Sequence, residues 1–205
     1  MFTVTEIFQS DYRVKGSKFL GYIHPVSDIR EAENVIDSVK NEHPTATHHC
    51  YAYLIDPNEP AEFANDDGEP AGTAGLPILN ALRSSRLINV VLIVVRYYGG
   101  TKLGKAGLIE AYGETARLTI RNSDPKKIIP IQTFIIEYDY SLQNQIDKLK
   151  NDINLIELNA EYTESVKVNY GCPLEELQKL EGHLKAFRHL LKHFESGEKS
   201  FHILK

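Results

Sequence analysis

Leu87-Ile88-Asn89-Val90-Val91-Leu92-Ile93-Val94-Val95 is followed by Arg96-Tyr97-Tyr98-Gly99-Gly100-Thr101-Lys102-Leu103-Gly104-Lys105-Ala106-Gly107, and this stretch decides how the chain folds. Its first part is almost entirely branched and aliphatic, the composition of a strand covered on both faces. Its second part is a glycine-rich loop that runs into a helix reaching about Arg121, with Leu108, Ala111, Tyr112 and Thr115 facing inward. A buried strand, a tight loop and an amphipathic helix in that order place this segment inside a mixed α and β domain.

Upstream, Leu76 to Ser84 suits a short helix with Pro77 in its first turn. Residues 56–75 break the periodicity and read as a long loop, carrying Pro57, Pro60, Gly68, Pro70, Gly72 and Gly75 with the acids Asp66, Asp67 and Glu69. His48 to Ile55 reads as a strand. Before it, Ile29, Ala32, Ile36 and Val39 form the stripe of a helix that Ser27 caps, with Asp28 and Glu31 in its first turn. Phe2 to Phe8 and Lys18 to Val26 read as strands.

Downstream, Asp124-Pro125 ends the long helix and the stretch to Pro130 reads as a linker. Ile131 to Tyr140 is expected to be a strand and Ser141 to Asn151 a helix capped by Ser141. Two more strands follow, Asn154 to Tyr162 and Glu164 to Tyr170. A helix from Leu174 to Phe194 carries Leu177, Leu180, Leu184, Phe187 and Leu191 on one stripe, and Ser200 to Leu204 closes the sheet. The order βαββαβ is the ferredoxin-like arrangement. The expected organisation is α+β in two domains, 1–129 and 130–205.

The 205 residues are 42% hydrophobic and 25% charged, which excludes wholesale disorder. The longest unbroken apolar run, Val90 to Val95, is far below the roughly 20 residues of a membrane span. No secretory signal is visible at the start, so a cytoplasmic protein is expected. Cys50 and Cys172 are too few for a disulfide framework. The formal charge is −5. It is unevenly spread: residues 1–82 hold 5 Lys and Arg against 13 Asp and Glu, whereas residues 83–127 hold 9 against 3. One basic segment in an acidic molecule points to a local anionic partner, or to no more than a basic solvated surface.

Both glycine loops, 65–75 and 96–107, run into helices, whose free N–H groups and dipole attract anions. The candidate anion or nucleic-acid ligands are Lys18, Thr73, Arg96, Gly99, Gly100, Lys102 and Lys105. Against this stands the plain reading that the glycines only permit tight turns. Gly99 to Ala106 has the form G-x-x-x-x-G-K-A, one residue from a phosphate-binding loop, but Ala106 lacks the hydroxyl that ligates magnesium, so a nucleotide triphosphatase is rejected. His48, Asp67 and Glu69 are candidates for acid–base chemistry or a polar site. No metal or cofactor is expected. His48, His49 and Cys50 alternate across a strand and cannot all reach one ion, His189 and His193 sit on the polar face of the last helix, and Cys172 is read as inert.

The constellation resembles the IMPACT/YigZ family. Gly75-x-x-Ile78-Leu79, Leu82, Leu87, Ile93-Val94, Arg96-Tyr97-Tyr98-Gly99-Gly100, Leu103 and Gly104 match its signature. Ser17-Lys18-Phe19, His48 to Tyr53, Asp66 to Pro70 and Gly72 to Gly75 match its other blocks. The resemblance is dense up to about residue 125. It implies an N-terminal domain like the second domain of ribosomal protein S-five and a C-terminal domain similar to domain V of elongation factor G. Eukaryotic members are implicated in regulating translation initiation. The chain departs from the usual pattern after Gly104: Lys105, Ala106 and Glu110 stand where small residues and then an arginine are common. The resemblance implies a ribosome, RNA or translation-regulator partner and no membrane. A non-enzymatic role in translation and an enzyme acting on a small phosphorylated or carboxylated metabolite both stay open.

Overall fold

A computed structural model describes residues 1–55 and 61–204. They build a mixed α/β structure of two sheets and five α-helices, divided into two compact units, Met1–Lys127 and Ile128–Lys205. In the first unit β1 (Phe2–Thr3) is short and pairs with Lys126 and Lys127. The strands β2 (Phe8–Val14), β3 (Ser17–Pro25), β4 (His48–Ile55), β5 (Ala61–Asn65) and β6 (Val90–Tyr97) form an antiparallel sheet in the order β2-β3-β6-β4-β5.

The apolar run of β6 is central, and strand alternation explains why every residue from Val90 to Val95 is buried. Val90, Leu92 and Val94 pack with Ile78 and Leu82 of α2 (Gly75–Ser84) and Leu108 and Tyr112 of α3 (Gly104–Asn122). Val91, Ile93 and Val95 pack on the other face with Ala32, Ile36 and Val39 of α1 (Ile29–Glu42). One strand thus belongs to two cores. Four expectations here need correction. The strand expected over Phe2 to Phe8 is broken by a bend at Thr5-Glu6, because Phe2 bonds to Arg86 and Ile88 instead of extending the sheet edge. The loop expected over 56–75 contains β5, held on β4 in part by stacking of Phe63 on Tyr53 at 5.7 Å between ring centroids; Pro57 and Pro60 lie outside the described residues. The cap of α1 is Asp28, which accepts from the Glu31 N–H at 2.8 Å, while the Ser27 N–H and hydroxyl both donate to the Glu31 carboxylate. Ile29 is 43% exposed and leaves the stripe.

The second unit runs β7 (Lys126–Tyr138, entering the unit at Ile128), α4 (Gln143–Ile153), β8 (Ile156–Tyr162), β9 (Val166–Pro173), α5 (Leu177–Phe187) and β10 (His193–Ile203). Its strand order is β10-β7-β9-β8, all antiparallel. Its core joins Ile136 and Tyr138 to Ile146 and Leu149 of α4 and Leu180 and Leu184 of α5. The stretch expected as a linker to Pro130 is part of β7. Pro130 fits there because β9 pairs only from Ile131 onward, so the proline has a strand neighbour on one side. Ser141 lies in a 3-10 turn ahead of α4 and makes no cap bond. The last helix is shorter than its apolar stripe: it stops at Phe187, and Phe194 already packs on Phe134 from β10. His189 and His193 therefore sit on a 3-10 turn and a strand, not on one helical face. Both cysteines are buried and free, and burial pushes the Cys172 thiol up to about 11.

The first glycine loop is pinned by Asp66. One carboxylate oxygen accepts from the Ala74 and Gly75 N–H groups at 2.9 and 2.8 Å, and the other accepts from Gly72 at 2.8 Å. The chain's own carboxylate thus fills the N-terminus of α2 that the sequence offered to an external anion. Burial alone would raise the Asp66 pKa, but the three N–H donors outweigh it and hold the group below its ordinary 3.8. Its contribution to stability is therefore complete above that pH and is lost as pH falls through the lower, native value. Asp66→Asn keeps the shape but replaces one of the two acceptor oxygens with a donor NH2 and removes the charge, with an expected loss of about 2 kcal/mol at neutral pH. Urea melts should show that loss shrinking below about pH 4; a constant difference across pH would contradict the pinning role.

Candidate functional site

Two loops and two strands of the first unit converge on a cleft of about 450 Å³. Pro70 borders it on one side, and Lys102, Leu103, Gly104 and Lys105 border it on the other. Its inner wall carries His48 from β4, Arg96 from β6, and Glu69.

Glu69 is 8% exposed, and a carboxylate so placed needs strong partners. Its Oε1 accepts from Arg96 Nη1 and from the Tyr112 hydroxyl at 2.8 Å, while His48 Nε2 lies 3.9 Å away. Burial pushes the Tyr112 hydroxyl far up, so it stays protonated as a donor. Arg96 is held between two rings, its guanidinium carbon 5.5 Å from the centroids of both Phe19 and Tyr98. The arginine is 5% exposed, and its Nε is buried with no hydrogen-bond partner among the described residues.

His48 Nδ1 lies 2.7 Å from the Asp67 carbonyl. A carbonyl only accepts, so this nitrogen carries the proton. In the neutral ring the lone pair is then on Nε2, the nitrogen nearer Glu69. The turn that supplies the carbonyl is rigid: Asp67 has φ +43°, its N–H donates to Asn65, and its carboxylate accepts from the His49 N–H at 2.6 Å. Asp67 thus has one carboxylate oxygen engaged by the backbone and does not line the cleft. His49 points away from His48 and bonds the His43 carbonyl at 3.0 Å.

The other candidates divide into two sets. Lys102 and Lys105 line the cleft and have no acidic partner within ion-pair distance among the described residues. They flank the start of α3, which has no side-chain cap. Thr73 is buried and outside the cleft lining, and its hydroxyl donates to the Pro70 carbonyl at 2.6 Å, closing its own turn. Lys18 is likewise outside the cleft lining and pairs with Asp11 at 3.6 Å. Gly99 answers to packing: a Cβ there would fall 1.8 Å from the Gly16 carbonyl carbon. Gly100 takes φ +86° with open space around it, a backbone conformation that glycine suits. Glu110, one of the departures noted after Gly104, is exposed and pairs with Arg117. Tyr112 and Tyr98 were not candidates by sequence. A tyrosine on the inward stripe of a helix requires a buried acceptor, and that signal leads from Tyr112 to Glu69.

A family model described as the Impact N-terminal domain matches residues 15–120. The chain is 34% identical over 166 residues to the IMPACT family member YvyE of Bacillus subtilis, covering 81% of this chain and 76% of that protein. It is 31% identical over 176 residues to the IMPACT family member YigZ of Escherichia coli, covering 85% and 86%. A crystal structure of a hypothetical protein is similar over 96% of this chain and 97% of its own, at 28% identity and a TM-score of 0.65. A domain match over more than half of the sequence, with relatives aligned across most of it, means that this chain belongs to the IMPACT family.

Proposed function

We propose that the chain is a translation-associated regulatory protein that binds ribosome or RNA phosphate, or a translation factor, through the cleft at the start of α3. Family membership supports the setting, since eukaryotic members are implicated in regulating translation initiation. One observation carries the site: Lys102 and Lys105 are without acidic partners, among the described residues, in the same cleft as the uncapped N-terminus of α3. Charge, dipole and free N–H groups act there on one spot. The site is narrower than two anion-binding loops, because Asp66 already occupies the start of α2. On this reading the first unit is comparable to the second domain of ribosomal protein S-five. The second unit, with its β-α-β-β-α-β order, is comparable to domain V of elongation factor G. Among the described residues no helix is long and apolar enough to cross a membrane.

A second reading, an enzyme on a small phosphorylated or carboxylated metabolite, is favoured by His48, whose fixed tautomer leaves a basic nitrogen near the cleft. It loses Glu69 as a mobile acid or base, because that carboxylate is held by Arg96 and Tyr112. Denaturing release of a co-purified metabolite, followed by mass spectrometry, would favour it.

Phosphate binding releases counterions, so affinity should fall steeply with salt. Filter binding of a ribosomal RNA fragment between about 50 and 200 mM salt should show Lys102→Ala and Lys105→Ala each lowering the log–log slope by about one. An unchanged slope in both variants would contradict the site. Arg96→Ala should behave differently. It leaves the Glu69 carboxylate buried without its cation, with an expected loss of roughly 3–5 kcal/mol in unfolding stability. Normal stability with lost binding would instead make Arg96 a direct ligand.

A further inference from the structure

We infer that the cleft takes one unpaired nucleotide of a single-stranded RNA, its phosphate at the start of α3 and its base on the Tyr98 ring; this rests on the phosphate-binding reading above. The first argument is where the free charge lies. A duplex backbone is met by cations spread over many phosphates. In the first unit several cations outside the cleft are engaged by acids: Arg13 pairs with Asp11, Arg83 with Glu62, and Arg117 and Arg121 with Glu114. Lys102 and Lys105 keep their charge at a single dent.

The second argument is the shape and chemistry of that dent. About 450 Å³ lies within the roughly 300–1,000 Å³ that holds small ligands, so one molecular unit fits and a helix does not. Apolar surface from Pro70, Leu103 and Leu108 lies beside the two lysines, which suits a ligand that is part flat and apolar, part anionic. Tyr98 supplies the platform. It is 46% exposed, and the guanidinium of Arg96 occupies only one face of the ring. Aromatic rings next to a basic groove are the means by which single strands are held without sequence preference.

The third argument is Arg96. It is more than nine-tenths buried, lines the cleft, and keeps an Nε without a hydrogen-bond partner among the described residues. Glu69 pairs with one guanidinium nitrogen and balances the arginine's charge, so a phosphate is left to Lys102, Lys105 and the start of α3.

The test is fluorescence anisotropy on the full chain with a labelled ten-nucleotide RNA, alone or annealed to its complement. Single strand should bind at least about tenfold more tightly than duplex, and Tyr98→Ala should remove about tenfold of the single-strand affinity while leaving the duplex value unchanged. Tyr98→Phe should restore binding, which separates stacking from a lost hydroxyl, and circular dichroism melts establish that each variant is folded. Adenosine 5′-monophosphate should displace the single strand, whereas ribose 5-phosphate, which has no base, should do so at least about tenfold less well. Equal affinity for the two RNA forms, or an unchanged Tyr98→Ala value, would overturn this inference and leave salt-dependent phosphate binding standing. No binding of either form at any ionic strength would overturn both.

Discussion

A carboxylate buried at the meeting point of four elements organises the first unit. Glu69 comes from the first glycine loop, accepts from Arg96 on β6 and Tyr112 on α3, and has His48 of β4 beside it. In the interior, a charge is tolerable only with a countercharge and satisfied hydrogen bonds, so the loop, the central strand and the helix are held to one arrangement. The same pairing decides which cations remain for a ligand. Arg96 is committed to Glu69 and to two aromatic rings, whereas Lys102 and Lys105 are not committed to any acid in the described residues. Structure and recognition are therefore separated within a few residues of the same loop.

Much of this was readable in the residues. The run Val90 to Val95 required cover on both faces, and the structure supplies α2 and α3 on one and α1 on the other. The strand His48–Ile55 and the helix from the second glycine loop, with Leu108, Ala111, Tyr112 and Thr115 inward, stand where their periodicity put them. The misreadings have physical causes. β5 is only five residues long and lies in a stretch dense in proline and glycine, so composition outweighed the cross-strand aromatic pair that holds it. The last helix ends before its stripe does, because Leu191 and Phe194 serve the same core from a turn and a strand. Periodicity records which residues are buried and is silent on the element that buries them.

The site was legible in part and for a general reason. A sequence shows which residues carry charge, but not whether a neighbour 27 positions away has already neutralised it, as Glu69 does for Arg96. Nor does it show that an acidic residue beside a helix start will fold back onto that helix, as Asp66 does. The acids at 66, 67 and 69 looked like one cluster, yet the three act separately. Asp66 pins a helix, Asp67 braces a turn, and Glu69 balances a buried arginine. What survives that sorting is one dent with two uncommitted lysines, an uncapped helix start and an open tyrosine face. The functional reading is carried by that remainder.

Backbone amide shifts of the isotopically labelled full chain, followed while a single-stranded oligoribonucleotide is added, locate the contact without any mutation. The expected result is that the largest movements fall between Tyr98 and Leu108, at the start of α3 and on its lysines, with little change around Gly72 to Gly75 where Asp66 already fills the helix end. Saturating shifts elsewhere, with the first turn of α3 unmoved, would contradict the account.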